Sequence, residues 1–506
     1  MYRRRAPLLI TIFLLCAIEF LQTGMIAFAA QPIMGEIGAG PEEYSLVAAL
    51  YACMAVVAIS KQHWLTERLG WRDYVLVSAA VFIAGALVCS RSEHLLAFTV
   101  GRVLMGLGGG GFMTAGRVLV NTLAPGAERF TGIKVFATAL AGGTAASPFL
   151  ASLAVTNDDW HAIFWILIGV ALLACALAMS SLPTDRHPVD ERTSSSALRV
   201  GLLAVGAFTL PYAIQRTPYE FYSAAPAWLG LLAAGLAMLV VFFHVEHGHD
   251  RPLLHIRALL GSRYVAGVAL FCFCYVVVGA NNYMLPIYLQ RGLGFSWETI
   301  GVFQSVALLA AVATWFVMAW ALAKSPAPKK YLVAGFLALS GFAYRLSALG
   351  PEAGMVDGVL PALALNGCFL MLVLATAAMQ TFRDVPASPL LMANAQQVKN
   401  IFGQIATAAG TAVAAVVLQW RSTVQYGNLN LHAAPNGPLL QHQLALAAEF
   451  LARTTGAAQA ARIALAQHGQ EIARQATLLA AVEYFRVLAL LALLALAVSA
   501  LQRIFR

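Results

Sequence analysis

Residues 6–30 read APLLITIFLLCAIEFLQTGMIAFAA and follow directly on Arg3, Arg4 and Arg5. The arginines, the apolar run and the small-residue triplet Ala27-Phe28-Ala29 imitate a secretory signal with its cleavage site. The run is too long for that, because a signal core holds about 7–15 residues. It also carries Glu19 in its middle. It reads as a retained membrane-spanning helix, for which roughly 20 apolar residues suffice.

The same pattern recurs along the chain. Apolar stretches at 7–30, 44–62, 73–90, 95–120, 131–155, 161–182, 197–215, 225–244, 264–288, 297–322, 331–349, 358–380, 390–420 and 477–502 predict fourteen spans. Composition agrees: of 506 residues 60% are apolar and 11% charged, where a soluble domain has about 25% charged. A soluble multidomain enzyme is excluded. An even number of spans puts both termini on one side. Of 32 Lys and Arg, twenty-one then fall on that side, from Arg3 through Lys61, Arg68 and Arg72 to Arg506. Only Arg91, Arg216 and Arg291 fall in the short loops opposite. The bias predicts a multi-pass protein of the cell inner (cytoplasmic) membrane with both termini cytoplasmic. It also assigns the net charge of +9 to topology, so no nucleic-acid partner is expected.

One large non-membrane piece remains. Residues 421–476 open polar and turn Ala/Gln/Leu-rich with helical spacing, predicting one or two amphipathic helices outside the membrane. They read as a cap over the outer mouth, with a docking surface for a periplasmic adaptor protein as the second reading. All seven cysteines lie in apolar stretches and read as small packing residues. His244, His247, His249 and His255 fall at the end of the eighth span and in the following loop, and read as connector rather than metal site. No Ser/His/Asp set, phosphate-binding Gly-rich loop or paired catalytic carboxylates is evident. The chain is expected to be no enzyme, to need no cofactor or metal, and to draw energy from an ion gradient.

The loop between spans two and three reads His63-Trp64-Leu65-Thr66-Glu67-Arg68-Leu69-Gly70-Trp71-Arg72, an acid, bases and a turn glycine that can clamp two helix ends. It resembles the signature G-x-L-x-D-R-x-G-R-R of the major facilitator superfamily. Arg102-Val-Leu-Met-Gly106-Leu-Gly108-Gly109-Gly110-Gly111 resembles the R-x-x-Q-G-x-G-G-G run of its fourteen-helix drug:proton antiporters. Trp160-His161-Ala162-Ile163-Phe164, the Glu246 and Asp250–Leu254 stretch, Leu285-Pro286-Ile287-Tyr288-Leu289-Gln290 and Gly410-Thr411-Ala412 continue the likeness along nearly the whole chain. The resemblance implies an all-α integral membrane protein of the major facilitator fold, with 14 transmembrane helices in two six-helix bundles plus two inserted helices. The implied divisions are 1–182, 183–263 with the inserted helices, and 264–506 including 421–476.

The resemblance also marks departures. Thr23 stands where relatives carry an aspartate and Phe28 where they carry an asparagine, with Glu19 one turn before. Gly403 stands where relatives carry an arginine, with Lys399 one turn before. Ser147-Pro148 replaces Gly-Pro in the fifth span. Both displaced charges shift the same way, so Glu19 and Lys399 are expected at similar depth and in contact, directly or through water.

Glu19 is the one acid deep in a span. A charge at the bilayer centre costs about 2.5–3.5 kcal/mol or more, so it should be protonated, paired or hydrated. It is the expected proton-coupling residue. Arg102, Lys399, Glu67, Arg68 and Arg72 are expected to form the charge network around it and the signature loop. Candidate substrate contacts are Gln22, Thr23, Phe28, Tyr51, Asn281, Asn282, Gln304, Gln396 and Gln404, with Asn366 beside them. The expected partners are a small amphipathic substrate, protons and membrane lipids. The expected function is proton-coupled efflux of lipophilic or amphipathic compounds by alternating access. The alternative is a lipid, fatty-acid or specific amphipathic-metabolite translocator with weak or no proton coupling.

Overall fold

In a computed structural model the chain is described at all residues except 1–4, 125, 158, 187, 189–191, 221–222, 250–251, 325–326, 387, 433–436 and 506. Arg3, Arg4, Asp250, Arg251 and Arg506 therefore lie outside the described residues. Long helices dominate: α1 Arg5–Phe28, α2 Pro41–Leu69, α3 Trp71–Cys89, α4 Leu95–Asn121, α5 Ala127–Thr156, α6 Ala162–Ser181 and α7 Ala197–Glu220. They continue with α8 Ala225–Gly248, α9 Ser262–Gly292, α10 Trp297–Lys324, α11 Pro328–Ser347, α12 Met355–Thr381, α13 Pro389–His432 and α14 Ala457–Leu501. Thirteen of these are long and apolar enough to cross a membrane. The fourteenth, α11, is made less apolar by Lys329, Lys330 and Arg345 near its ends, and it packs against α12 and α14.

The first six helices pack as one bundle and α9–α14 as a second, with α7 and α8 inserted between them in sequence. Where backbones must approach closely the sequence supplies glycine. A Cβ on Gly106 would lie 2.7 Å from the Tyr51 carbonyl, and one on Gly108 or Gly110 would collide with the α3 or α2 backbone. The run thus lets α4 pass tightly beside both helices. In α5 Pro148 leaves the Thr144 carbonyl without its helical donor, and the Ser147 hydroxyl donates to that carbonyl at 3.0 Å. This kink sits on the cavity wall.

Several contacts join the bundles. α13 lies against α2 and α4, α10 lies against α5, and Phe28 of α1 packs on Trp297 of α10 with ring centroids 5.4 Å apart. Of the one or two helices expected at 421–476, Pro438–Thr455 is a separate helix, and the other described residues of the segment mostly continue α13 and α14. α13 is one helix of 44 residues and α14 one of 45, each about 66 Å long against a hydrocarbon core of about 30 Å. Both run on past their apolar portions, so most of the segment is a continuation of membrane helices. Pro438–Thr455 packs along the extension of α14 and forms, with it, a tower. The helix ends opposite the tower, where the α2–α3 signature loop lies, are called the basic face for Lys61, Arg68 and Arg72.

Candidate substrate and proton site

Between the bundles is a cavity of about 1470 Å³, counting its open mouth, walled by α1, α5, α9, α10, α12 and α13. Glu19 stands on its wall, 6% exposed. Its Oε1 accepts from Gln404 Nε2 at 2.9 Å, so an acid of one bundle is bonded to an amide of the other. Its Oε2 faces the Tyr51 hydroxyl at 3.5 Å. Tyr51 in turn accepts from Gln22 Nε2 at 2.5 Å, and Gln22 Oε1 accepts from Arg102 NH1 at 2.9 Å. The Arg102 guanidinium also lies 4.1 Å over the Tyr51 ring. A continuous chain of polar side chains thus runs from a buried arginine through Gln22 and Tyr51 to the acid, and a change of charge at one end is felt at the other.

The expected contact between Glu19 and Lys399 is not formed. Gln404 occupies the Glu19 side of α13, while Lys399 lies five residues earlier, about 7.5 Å nearer the basic face and on another side of the helix. Its Nζ sits 4.8 Å from the Phe271 ring centroid and 5.9 Å from that of Tyr275. The Tyr275 ring lies 3.0 Å from where a Cβ at 403 would be, so any side chain there would have to push the ring aside.

The remaining candidates divide. Thr23, Phe28, Asn281, Asn282, Gln304 and Gln404 line the cavity, and Tyr51 lines a neighbouring recess with Arg102, Thr23 and Asn282. Gln22 and Gln396 are corrected as substrate contacts. Gln22 is fully buried in the polar chain, and Gln396 turns along α13 toward Asn400. Gln304 Oε1 and Asn366 Oδ1 are buried in the wall with no hydrogen-bond partner in the structure, open acceptors for a guest's donor. Asn400, Thr144 and Thr407 also line the cavity and were not among the candidates. Their sequence signal is weak, because a lone Thr or Asn in a span is most often a helix contact.

The signature loop works elsewhere, at the basic face. Glu67 accepts from the Thr193 backbone N–H at 2.9 Å, from the Thr193 hydroxyl at 2.7 Å and from His63 Nε2 at 3.0 Å. Arg68 donates to the Trp64 and Thr193 carbonyls and lies over the Trp64 ring. Arg72 meets Asp73 at 3.4 Å and donates its backbone N–H to the Pro183 carbonyl. Gly70, at φ +83°, makes the turn, and its missing Cβ leaves room for the Thr184 carbonyl. The acid therefore ties the α2–α3 turn to the segment leading into α7. Beside it Glu246 of α8 pairs with Arg199 of α7 at 2.8 Å and accepts from the Leu253 and Leu254 backbone N–H groups. None of these residues touches the cavity.

Comparison with known proteins follows the same lines. Residues 12–415 match the family model described as "Major Facilitator Superfamily". The "Putative multidrug resistance protein MdtD" of Serratia proteamaculans is 28% identical over 280 residues, 55% of this chain and 57% of the relative. Its namesake in Klebsiella pneumoniae is 27% identical over 281 residues, 55% and 58%. The chain thus aligns with little more than half the length of these curated relatives. Among solved structures, a bacterial homologue of the human lysosomal transporter Spinster in an inward-facing, unoccupied conformation superposes with TM-score 0.60 at 13% identity, covering 99% of this chain and 98% of that one. A POT family transporter in complex with a thioalcohol-conjugated peptide gives 0.57 at 14%, covering 96% and 95%. The fold and the family model agree, and the chain belongs to the Major Facilitator Superfamily.

Proposed function

We propose that the protein is a secondary active transporter of the cell inner membrane that exchanges protons for lipophilic or amphipathic small molecules, of the multidrug type named for its relatives. Both termini face the cytoplasm on this reading. The observation that carries it is the Glu19–Gln404 bond. A carboxylate on the wall of a large cavity, bonded across the gap between two bundles, senses both cavity occupancy and the distance between the bundles. Rocking of one bundle against the other around a central site is the movement such folds use. When the bundles part, Gln404 leaves Glu19, the acid loses a donor, and its hold on a proton changes. The polar chain from Arg102 supplies the opposing charge. The cavity surroundings are mostly apolar, with Phe20, Phe28, Met113, Leu140, Tyr275 and Met371 among them, and fit a guest with an apolar body.

The test is proton release from purified protein in weakly buffered detergent on adding lipophilic cations, then amphipathic anions or lipids, in wild type and Glu19→Gln. Release in wild type that vanishes in the variant supports exchange at Glu19. Binding with no proton signal in either protein removes the coupling and leaves a translocator of lipid or metabolite type.

A further inference from the structure

We propose that Lys399 and Arg117 form a subsite for the anionic group of an amphipathic guest, at the end of the cavity nearer the basic face. The proposal rests on the transport reading above for its context, and it names the chemistry of the guest.

The argument begins with charge. Lys399 is 5% exposed, and its ammonium is met only by the Phe271 and Tyr275 rings. Among the described residues no carboxylate oxygen lies within ion-pair distance of it or of Arg117. Arg117 has one long contact, from NH1 to Asn121 Oδ1 at 3.4 Å, and its guanidinium is 5.9 Å from the Phe136 ring centroid. A buried ammonium ordinarily carries a paired anion, because a ring face replaces only part of its lost hydration, and the half-buried Arg117 adds a second cation beside it. The other buried acids are committed: Glu67 to Thr193 and His63, Glu246 to Arg199, and Glu19 to Gln404.

Position comes next. Asn400 Nδ2 donates to Thr114 Oγ1 at 2.6 Å, joining α13 to α4. Lys399 adjoins Asn400, and Arg117 follows Thr114 by three residues, so the two cations flank one contact between the bundles. Asn400 and Tyr275 line the cavity, whereas Lys399, which sits against the Tyr275 ring, and Arg117 stand outside its present lining, so a guest reaches them by parting the Asn400–Thr114 contact. A carboxylate, sulfate or phosphate group reaching this end would find one cation from each bundle, while its apolar body lay along Met113, Leu140 and Leu374. Such a guest bridges the bundles and offsets the repulsion between two like charges.

The experiment uses the full chain in neutral detergent and two soluble probes, octanoate and octyltrimethylammonium, titrated by calorimetry. Octanoate is expected to bind wild type, to weaken by at least about tenfold in Lys399→Gln and in Arg117→Gln, as loss of a charge-assisted bond requires, and to bind Lys399→Arg within a few-fold of wild type. Octyltrimethylammonium is expected to be indifferent to Lys399→Gln. Octanoate binding that survives both glutamine variants overturns the subsite, and so does equal loss of both probes. Melting temperatures identify any variant that fails to fold, and Lys399→Arg with Arg117→Lys then carries the test. Repetition in phosphatidylcholine nanodiscs with and without phosphatidylglycerol identifies the source of the anion. Competition by phosphatidylglycerol makes it a lipid headgroup, and indifference makes it a free amphiphile. Glu19→Gln is expected to keep octanoate binding while losing the proton release that lipophilic cations cause, so the subsite and the coupling fail separately.

Discussion

Two buried acids, Glu19 in the cavity and Glu246 at the basic face, are almost equally hidden from solvent, at 6% and 1% exposure. They are held in opposite ways. Glu246 accepts from two backbone N–H groups and an arginine, all within one corner where α7, α8 and the loop entering α9 meet. Backbone donors cannot swing away, so this charge is fixed and fully satisfied. Glu19 is held by the side chains of Gln404 and Tyr51, the first from the opposite bundle. A carboxylate kept by movable donors across a gap can change its partners, its hydration and its proton when the gap changes. The difference between a latch and a coupling group lies in the donors, not in burial.

The sharpest attack on this contrast is Glu19→Gln, which keeps shape and removes charge. Substrate-dependent proton release should disappear and vesicle transport should fall by about two orders of magnitude or more, the scale of a lost proton-transfer group. The melting temperature should move little, since Gln404 and Tyr51 can both pair with an amide. The mirror experiment is Glu246→Ala. It leaves Arg199 buried with no counter-charge and two backbone N–H groups without an acceptor, and should cost about 3–5 kcal/mol of stability. Arg199→Met combined with Glu246→Leu should recover much of that loss. Molecules that remain folded should still release protons. If Glu246→Ala instead abolishes proton release in folded protein, the division between latch and coupling group is wrong.

A gentler probe is Thr193→Val. It deletes the hydroxyl that donates to Glu67 at 2.7 Å and keeps the backbone donor at 2.9 Å. Loss of one hydrogen bond to a charged group is worth about 1.5–3 kcal/mol. The expected result is a lower melting temperature with proton release unchanged, read by differential scanning fluorimetry beside the release assay.

The latch and the cavity were unequally legible in the sequence. Helix number and order follow from apolar run length, which is a property of each segment alone. Glu19 stands out the same way, as a lone acid in an apolar run. What the sequence misplaces are relations between segments. Equal depth suggested that Glu19 meets Lys399, but the meeting depends on rotation about α13 and on the Tyr275 ring resting against Gly403, a fact of packing. Gln22 and Gln396 look like cavity residues by type and are buried in polar networks by rotation. Within the tower the separate helix Pro438–Thr455 was legible from its spacing, while the unbroken passage of α13 and α14 out of their apolar portions was not, because amphipathic spacing reports which face is covered and not where a helix began. The partner of Glu67 was hidden because Thr193 lies in a linker, 126 residues away, with no pattern of its own.

The smallest predicted effect separates the two regions by their response to acid. His255 lies in the loop before α9, beside the latch, with its backbone N–H donating to Asn394 Oδ1. Burial, then the charge of nearby His63, holds its imidazole below the usual histidine range, with Glu246 and Glu67 opposing. The folded chain therefore binds this proton less tightly than the unfolded chain does. Its contribution to stability is complete above the unfolded value of about 6.5 and is lost as the pH falls through that value toward the lower folded one. His255→Gln removes the titration, so the melting temperature of wild type relative to the variant should decline on acidification below about pH 6.5 and stay level above it. A difference that is flat across that window would mean that His255 keeps its proton equally well folded or unfolded. Octanoate binding to His255→Gln should match wild type at every pH, because the loop and the cavity share no residue. A shift there would mean that α13, which holds the His255 backbone N–H at Asn394 and walls the cavity, transmits the titration from one region to the other.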